Sequence, residues 1–321
     1  MNKIIKSTIG VAGSAIGAAG LGYGLCVLTD ELLFNRKFEL PTAINYKIGG
    51  CDTGHLGDYL KNNLEWLEEY GYERYFITSE RGEKLTGILF RSEKESDIYL
   101  FCAHGYRSCG KREFNGVIRF YLERGYNVFL PDHVASGESE GTHCTFSFYE
   151  TEDCLKWLDF INETFGKDIK IVLHGVSMGS ATVMRMNGRD ELPDNVKGVV
   201  ADCGFSTATG VFDFKLSKFG IKKNDKLISA VNYVNKKNLG FDFEELRPID
   251  SVKNAKTPMF FIHGADDGLV PCYMVNDLYE ACSHEKKQLL IVEGADHAQS
   301  CMKGGETYQT MLGNFIDEIL A

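Results

Sequence analysis

The sequence predicts an α/β fold in which a mostly parallel sheet is flanked by helices. Short apolar runs recur along the chain, at residues 98–103, 127–132, 170–175, 197–202, 259–264 and 288–294. Segments with helical period lie between most of these runs, for example residues 148–166 and the closing residues 308–321. Apolar strands that alternate with helices form parallel sheets buried on both faces.

The composition is that of an ordinary folded protein of 321 residues, with 44% hydrophobic and 25% charged residues. A formal net charge of −10 argues against nucleic acid as a partner, because phosphate binding needs clustered lysine and arginine. The ten cysteines form no C-x-x-C pair and no zinc-like spacing with histidine. We therefore predict buried thiols rather than a disulfide framework, and no metal or organic cofactor.

The N-terminal residues 1–30 differ from the rest of the chain. Residues 7–28 hold 22 residues without a charge, which is long enough for a helix to cross a bilayer. We expect an uncleaved membrane anchor, with a cleavable signal peptide or a packed helix as alternatives. Lys3 and Lys6 favour a cytoplasmic N-terminus, whereas Arg36 and Lys37 favour the opposite orientation. We expect a single-pass anchor in the cell membrane with the catalytic domain outside the cytoplasm.

The remaining chain divides into a connector, a core and an insertion. Residues 31–70 are predicted to form a connector whose last part is an amphipathic helix with leucines at 56, 60, 64 and 67. Residues 71–205 and 251–321 form the α/β core, which begins with a hairpin of residues 75–79 and 84–90. Residues 206–250 carry no strand-like run and are predicted to form a small helical cap.

Two segments match G-x-S-x-G, the pattern of a serine nucleophile turn: GESEG at 137–141 and GVSMG at 175–179. A serine nucleophile needs a tight strand-to-helix turn, a neighbouring histidine and backbone N–H groups that face the developing oxyanion. Ser177 directly follows the strand KIVLHG and precedes a helical run. We therefore predict Ser177 as the nucleophile.

Ser139 of GESEG meets these demands poorly. Several residues separate it from the preceding strand, and the following THCTFS is not helical. Glu138 and Glu140 would also place two negative charges beside a developing anion. We interpret GESEG as a polar loop at the rim of the site.

The partners of Ser177 are expected at the carboxyl ends of later strands, in the order serine, acid, histidine. His297 follows the strand QLLIV and is the predicted general base. His263 ends its own strand and is interpreted as a packed residue, and His284 as a solvated one. The acid comes from HGADDGLVP, where position alone leaves Asp266 and Asp267 open.

The oxyanion is predicted to bind two backbone N–H groups. Met178, at the start of the helix after the nucleophile, supplies one of them. Tyr106 supplies the other, because it follows His-Gly at the end of the first core strand. Arg107 is either a charge at the rim or a residue that holds this loop.

These motifs together resemble the α/β-hydrolase superfamily, in the group of bacterial membrane-anchored esterases and serine-aminopeptidase-like hydrolases. The matching stretches are AHGYRSCGKREF (103–114), LPDHVASGESEG (130–141), LHGVSMGSAT (173–182), VVADCGF (199–205), TPMFFIHGADDGLVP (257–271) and VEGADHAQS (292–300). The resemblance implies an α/β-hydrolase fold, and its H-G-x-x-D-x-x-V-P pattern implies Asp267 as the acid. It also implies a polar loop without a catalytic serine at 132–141, where His133 stands in place of the arginine often found.

The expected function is that of a serine hydrolase that cleaves a carboxylic ester through a Ser177–His297–Asp267 triad. A serine peptidase, a lysophospholipase or an acyltransferase would use the same triad, and a non-catalytic binding protein is a further alternative. The partner is a small-molecule, lipid or peptide acyl substrate. Aromatic and aliphatic residues at 212, 214, 216 and 219 either line an acyl pocket or pack within the cap.

Overall fold

The computed structural model describes residues 35–37, 56–218, 220 and 225–321. Over these ranges the strands are Glu73–Thr78 (β1), Lys84–Phe90 (β2), Ile98–Ala103 (β3), Asn127–Pro131 (β4), Lys170–Val176 (β5), Val196–Asp202 (β6), Met259–Gly264 (β7) and Lys287–Val292 (β8). The helices are Leu56–Tyr70 (α1), Gly110–Glu123 (α2), Phe148–Phe165 (α3), Met178–Asn187 (α4), Ala208–Lys218 (α5), Asp225–Asn238 (α6), Pro248–Val252 (α7), Tyr273–Ala281 (α8) and Ser300–Leu320 (α9). The predicted membrane segment, most of the predicted connector and Phe219 lie outside the described residues.

The strands form one sheet in the order β1-β2-β4-β3-β5-β6-β7-β8. Strands β3 to β8 are parallel to one another, and at one edge β2 pairs antiparallel with β4 and β1 pairs antiparallel with β2. Each predicted apolar run is a strand, and the predicted hairpin is the β1–β2 pair. The prediction of a mostly parallel sheet flanked by helices is confirmed.

Helices cover both faces of the sheet, and each face has its own apolar core. Trp157 of α3 packs with Phe101 and Phe129 on one face. Tyr121 of α2 and Phe315 of α9 pack on the other. Burial of one such side chain stabilises the fold by roughly 1.5–3 kcal/mol. Because both faces are covered, the central strands are apolar throughout rather than alternating.

Helix α1 belongs to the folded core. Its Leu67 is fully buried and packs in the same cluster as Phe114 and Ile118 of α2. The predicted connector therefore ends in an element that is packed on the sheet through α2. No helix in the described part of the chain has both the length and the apolarity to cross a bilayer.

The segment after β6 is helical and lies over the carboxyl ends of the strands. It contains α5, α6 and a short 3-10 helix at Phe243–Glu245, and its buried Phe241 and Phe243 pack in one cluster with Ala181 of α4. Phe212 of α5 makes an edge contact with Phe243, with ring centroids 4.9 Å apart. We refer to α5, α6 and the 3-10 helix as the cap.

Candidate active site

Ser177 lies in a tight turn between β5 and α4. Its φ of 57° is positive, which is rare for a residue with a side chain. Its N–H donates to the carbonyl oxygen of Asp202 over 2.9 Å, so the turn is tied to the neighbouring strand. A Cβ on Gly179 would stand 1.9 Å from the carbonyl oxygen of Ala103, and one on Gly175 would stand 2.2 Å from that of Gly179. Only glycine fits at these two positions.

His297 connects Ser177 to Asp267 through two short hydrogen bonds. Its Nε2 lies 2.7 Å from Ser177 Oγ, and its Nδ1 lies 2.8 Å from Asp267 Oδ2. His297 is nearly buried, whereas Ser177 is partly exposed at the protein surface. The three residues come from the ends of β5, β7 and β8, where loops of a parallel sheet converge. The structure thus brings together all three residues of the predicted triad.

The carboxylate of Asp267 is held by four donors. Its Oδ1 accepts the N–H groups of Leu269 and Val270, both over 2.8 Å. Its Oδ2 accepts from His297 and also lies 3.2 Å from Nε2 of His263. Burial alone would raise the pKa of Asp267, but the attraction of His297 and these hydrogen bonds outweigh it and hold the pKa well below its usual range. Asp267 is therefore an anion that fixes the ring of His297.

Asp266, the alternative acid, faces solvent. Its side chain is exposed, while its backbone N–H donates to the carbonyl oxygen of Ala295 over 3.0 Å. The adjacent Asp267 is buried and directed at His297. The structure therefore separates the two acids that residue spacing left open.

The imidazole of His297 is tuned toward its protonated form. Burial lowers its pKa, but the charge of Asp267 and the hydrogen bond that His297 donates to this carboxylate have a larger combined effect, so the pKa lies above its ordinary value. His297 can accept a proton only when it is neutral. Its raised pKa therefore sets the pH below which a reaction that uses His297 as the base becomes slower.

His263 contacts the site, which the sequence interpretation missed. Its Nε2 lies 3.0 Å from the carbonyl oxygen of Val270 as well as 3.2 Å from Asp267 Oδ2. Both neighbours only accept, so Nε2 carries the proton and donates. His263 is a positioning residue for the acid rather than packing alone. Its position four residues before Asp267, on the same strand end, is the signal that could have indicated this.

Asp202 lies beneath the nucleophile turn with its carboxylate buried. It accepts from Ser300 Oγ over 2.9 Å and from the hydroxyl of Tyr308 over 3.3 Å. Burial raises its pKa to about 6, although these hydrogen bonds and His263 oppose the shift. Asp202 is thus a second acid close to the triad that no motif indicated.

The predicted oxyanion residues flank Ser177. Met178 is the first residue of α4, and Gly105, before Tyr106, is so close that a Cβ there would lie 3.2 Å from Ser177 Cβ. The carbonyl of Gly105 accepts from Nδ1 of His104 over 2.7 Å. In a trans peptide the N–H points away from the carbonyl, so this bond orients the N–H of Tyr106. The donor roles of Tyr106 and Met178 stay predictions.

The buried His133, which departs from the family's usual arginine, supports this loop. Its backbone N–H donates to Nε2 of His104 over 2.9 Å, so His104 carries its proton on Nδ1. Burial and the nearby His104 hold the pKa of His133 well below its ordinary value, so its ring is neutral. At this position a neutral side chain therefore packs against the loop.

Ser139 is engaged in structural hydrogen bonds. Its Oγ donates to the carbonyl oxygen of Asp132 over 2.7 Å and accepts the N–H of Thr86 over 2.9 Å, and the residue is buried. The carboxylate of Asp132 also accepts the N–H of Glu138. The GESEG loop, residues 137–141, is thereby fastened to β2 and β4. Its serine holds the loop in place.

Among the described residues, one group has the spacing of a metal site: Cys203, Asp267 and His297, whose potential ligand atoms lie within 4.8 Å of one another. Burial raises the pKa of Cys203 well above its ordinary value, so it is a thiol rather than a metal-binding thiolate. Asp267 and His297 are already bonded to each other. The protonated thiol and the hydrogen bond between Asp267 and His297 therefore suit a catalytic triad better than a metal site. The eight cysteines in the described ranges are free.

Comparisons with known proteins agree with this geometry. Residues 100–220 match the family described as the alpha/beta hydrolase fold. The uncharacterized protein YqkD of Bacillus subtilis is 25% identical over 319 residues, covering 99% of this chain and 98% of YqkD. Caffeoylshikimate esterase of Arabidopsis thaliana is 27% identical over 258 residues, covering 70% of this chain and 77% of that enzyme.

A solved structure shows the same fold. The esterase Pf2001 of Pyrococcus furiosus superposes with a TM-score of 0.62 at 25% identity, covering 78% of this chain and 93% of the esterase. The sheet order, the nucleophile turn and these matches agree with one another. The chain has the α/β-hydrolase fold and is an enzyme of the hydrolase class.

Proposed function

We propose that this enzyme is a serine hydrolase that cleaves a carboxylic ester through an acyl-enzyme on Ser177. The observation that carries the proposal is the continuous chain of hydrogen bonds from Ser177 Oγ through His297 to Asp267, of 2.7 and 2.8 Å. A hydroxyl is a weak nucleophile at neutral pH, and this arrangement supplies the base that it needs.

In the first half-reaction, Ser177 Oγ attacks the ester carbonyl carbon while His297 Nε2 takes the hydroxyl proton. The C–O bond to the alcohol then breaks, and His297 gives its proton to the departing oxygen. In the second half-reaction, water attacks the acyl-enzyme and His297 takes a proton from it. Collapse releases the acid, and the proton returns to Ser177. Asp267 stays ionised and stabilises the imidazolium in both halves.

The negative charge on the carbonyl oxygen would be held by the N–H groups of Tyr106 and Met178. Loss of one such donor typically lowers turnover by about 10²–10³-fold. The contact between Gly105 and Ser177 and the bond from His104 to Gly105 support this role, because they place and orient the Tyr106 peptide beside the nucleophile.

The relatives favour an ester over the alternatives. Caffeoylshikimate esterase and Pf2001 are both esterases, and they match this chain at 27% and 25% identity. The same triad would support a peptidase or an acyltransferase, but no contact of the described residues favours an amine or an acceptor alcohol over water.

The test is hydrolysis of p-nitrophenyl butyrate by the purified full chain. We expect Ser177→Ala to lower kcat/KM by about 10⁴-fold or more, with Ser139→Ala as the matched control in the other G-x-S-x-G segment. A similar loss in both variants would contradict the assignment of the nucleophile. Faster cleavage of the matching p-nitroanilide than of the ester would contradict the substrate class.

A further inference from the structure

The segment of residues 35–37 is held against the GESEG loop and the residue that follows it. The backbone N–H of Arg36 donates to the carbonyl oxygen of Thr142 over 2.8 Å. The guanidinium of Arg36 donates to the carbonyl oxygens of Ser139 and Gly137, over 2.9 and 3.1 Å. The GESEG loop therefore has a bound partner, which is the N-terminal part of the same chain.

The same segment also reaches the oxyanion loop. Arg107, which follows Tyr106, donates to the carbonyl oxygen of Asn35 over 3.3 Å. Its guanidinium lies 5.0 Å from the centre of the Tyr106 ring. Arg107 thus ties the chain at Asn35 to the loop that carries a predicted oxyanion donor.

These contacts fix how far the apolar N-terminal segment can be from the site. The uncharged stretch ends at Leu28, and only residues 29–34 separate it from Asn35. A fully extended chain spans at most about 3.3–3.6 Å per residue, so the end of the stretch lies within about 25 Å of Asn35. A membrane that holds this stretch would therefore lie close to the mouth of the active site.

The cap carries a charge opposite to that of the whole protein. Residues 206–250, the segment that contains the cap, hold eight basic and six acidic side chains, a formal charge of +2, whereas the chain has a formal net charge of −10. On α6, the side chain of Lys236 is 66% exposed and lies 3.8 Å from the carboxylate of Asp242, and its neighbour Lys237 is also exposed. Because Phe243 of the cap packs in one cluster with Ala181 of α4, the cap lies on the side of the protein that carries the site.

Aromatic side chains accompany this charge. Tyr233 of α6 is 65% exposed and Tyr273 at the start of α8 is 54% exposed. Tyr273 lies near Asp213 of α5, so it too belongs to the cap side. Tyr233 shares α6 with the exposed Lys236 and Lys237, and a tyrosine beside lysines is typical of surfaces that lie at the headgroup level of a membrane.

We propose that the active-site mouth faces an anionic bilayer surface, to which the N-terminal stretch holds it, and that the substrate is an acyl ester of an amphiphile presented there. The proposal rests on the proposed ester hydrolysis and adds the substrate class to it. The lysines of the cap are attracted to anionic headgroups, and the contacts of residues 35–37 direct the mouth toward the same surface. The ester bond of an amphiphile then needs only a short displacement to reach Ser177.

The test uses the full chain reconstituted in vesicles that are either zwitterionic or about one third phosphatidylglycerol. Two substrates are compared: a monoacylglycerol embedded in the vesicle, and water-soluble p-nitrophenyl butyrate. The charge-reversal variant is Lys236→Glu with Lys237→Glu. Its matched control is Lys94→Glu with Lys167→Glu, which changes two exposed lysines near the amino ends of β3 and β5, opposite the strand ends that carry the site.

We expect the wild type to cleave the embedded ester at least about fivefold faster in anionic vesicles, because each lysine near such a surface favours association by roughly that factor. The cap variant should lose this gain, and the control variant should keep it. All three should cleave the soluble ester at similar rates.

Equal rates in both kinds of vesicle, or equal losses in both charge variants, would overturn the proposal while leaving ester hydrolysis intact. Recovery of the active enzyme in the soluble fraction with a new N-terminus after Leu28 would also overturn it, because the tether would be gone. Failure of the proposed ester hydrolysis would give a different result, because the soluble p-nitrophenyl butyrate would then be hydrolysed at a rate that does not depend on Ser177.

Discussion

Replacing Gly179 with alanine would place a methyl group inside the backbone of the neighbouring strand end. The new Cβ would stand 1.9 Å from the carbonyl oxygen of Ala103, 2.5 Å from its carbonyl carbon and 2.7 Å from the carbonyl oxygen of His104. All three are backbone atoms, so no side chain can rotate away. To restore ordinary contact distances, either the first turn of α4 or the end of β3 must move by roughly 1 Å or more.

The cost of this movement falls on both stability and catalysis. Overpacking of a dense interior costs typically about 1–3 kcal/mol, and a clash with backbone belongs at the upper end. The displaced segments precede Tyr106 and include Met178, so the two predicted oxyanion donors would be pushed apart. Misplacement equivalent to the loss of one donor would lower kcat by about 10²–10³-fold.

Gly166 provides the matched control. Its φ of 92° strains any residue with a side chain, but a Cβ there meets no atom within 4 Å. Gly166→Ala should therefore destabilise the protein by about 1–2 kcal/mol without moving the site. Urea unfolding gives the free energy of unfolding of each variant, and p-nitrophenyl butyrate gives kcat.

The reasoning would be refuted by a folded Gly179→Ala enzyme with kcat within about threefold of the wild type. It would also be refuted if Gly166→Ala lost the same activity, because the effect would then follow stability rather than the position of the oxyanion donors.

Three further predictions concern single side chains. Ser139→Ala should lower the free energy of unfolding by about 1–3 kcal/mol, since the buried N–H of Thr86 loses its acceptor, yet leave kcat/KM nearly unchanged. The raised pKa of His297 predicts that kcat/KM increases with pH through a midpoint above 6.5, and Asp267→Asn should move the midpoint lower; a midpoint that does not move would contradict this. Asp202→Asn should stabilise the protein at pH 8 by up to about 3 kcal/mol, because a buried carboxyl whose pKa is raised to about 6 destabilises the fold above that pH. Below about pH 4 the carboxyl is protonated in both the folded and the unfolded protein, so the gain measured by urea unfolding should vanish there.

The strands were predictable because each is a short apolar run with turn residues at its end. The location of the triad residues followed from the same pattern, since the carboxyl ends of parallel strands lie on one side of the sheet, whereas their chain order was taken from the family. Ser177 could be preferred over Ser139 for a local reason as well, because only Ser177 lies directly between a strand and a helix.

The hydrogen-bond partners of the histidines at three strand ends could not be predicted from the sequence. His104, His174 and His263 each precede glycine at a strand end, yet their partners differ. His104 is bonded to Gly105 and to His133. The ring of His174 lies 2.7 Å from the hydroxyl of Tyr121, which is 53 residues away. Because such partners are distant in sequence, the dipeptide alone could not distinguish a positioning residue from a packed one.

The choice between Asp266 and Asp267 depended on the family pattern for a similar reason. Both acids follow β7, and only the path of the turn decides which one faces inward. The contact of Arg36 with the GESEG loop could not be predicted from the sequence either, since it joins residues that are about a hundred positions apart. These long-range contacts are the part of the site that local pattern does not encode.

The central claim is that Ser177, and not Ser139, is the nucleophile. Labelling of the full chain with a fluorophosphonate tests it most directly, because the reagent phosphonylates an activated serine, and mass analysis of the peptides locates the adduct. We expect one adduct per chain, on the peptide that contains Ser177, and no labelling of Ser177→Ala. An adduct on Ser139, or a Ser177→Ala variant that still labels at the wild-type rate, would contradict it.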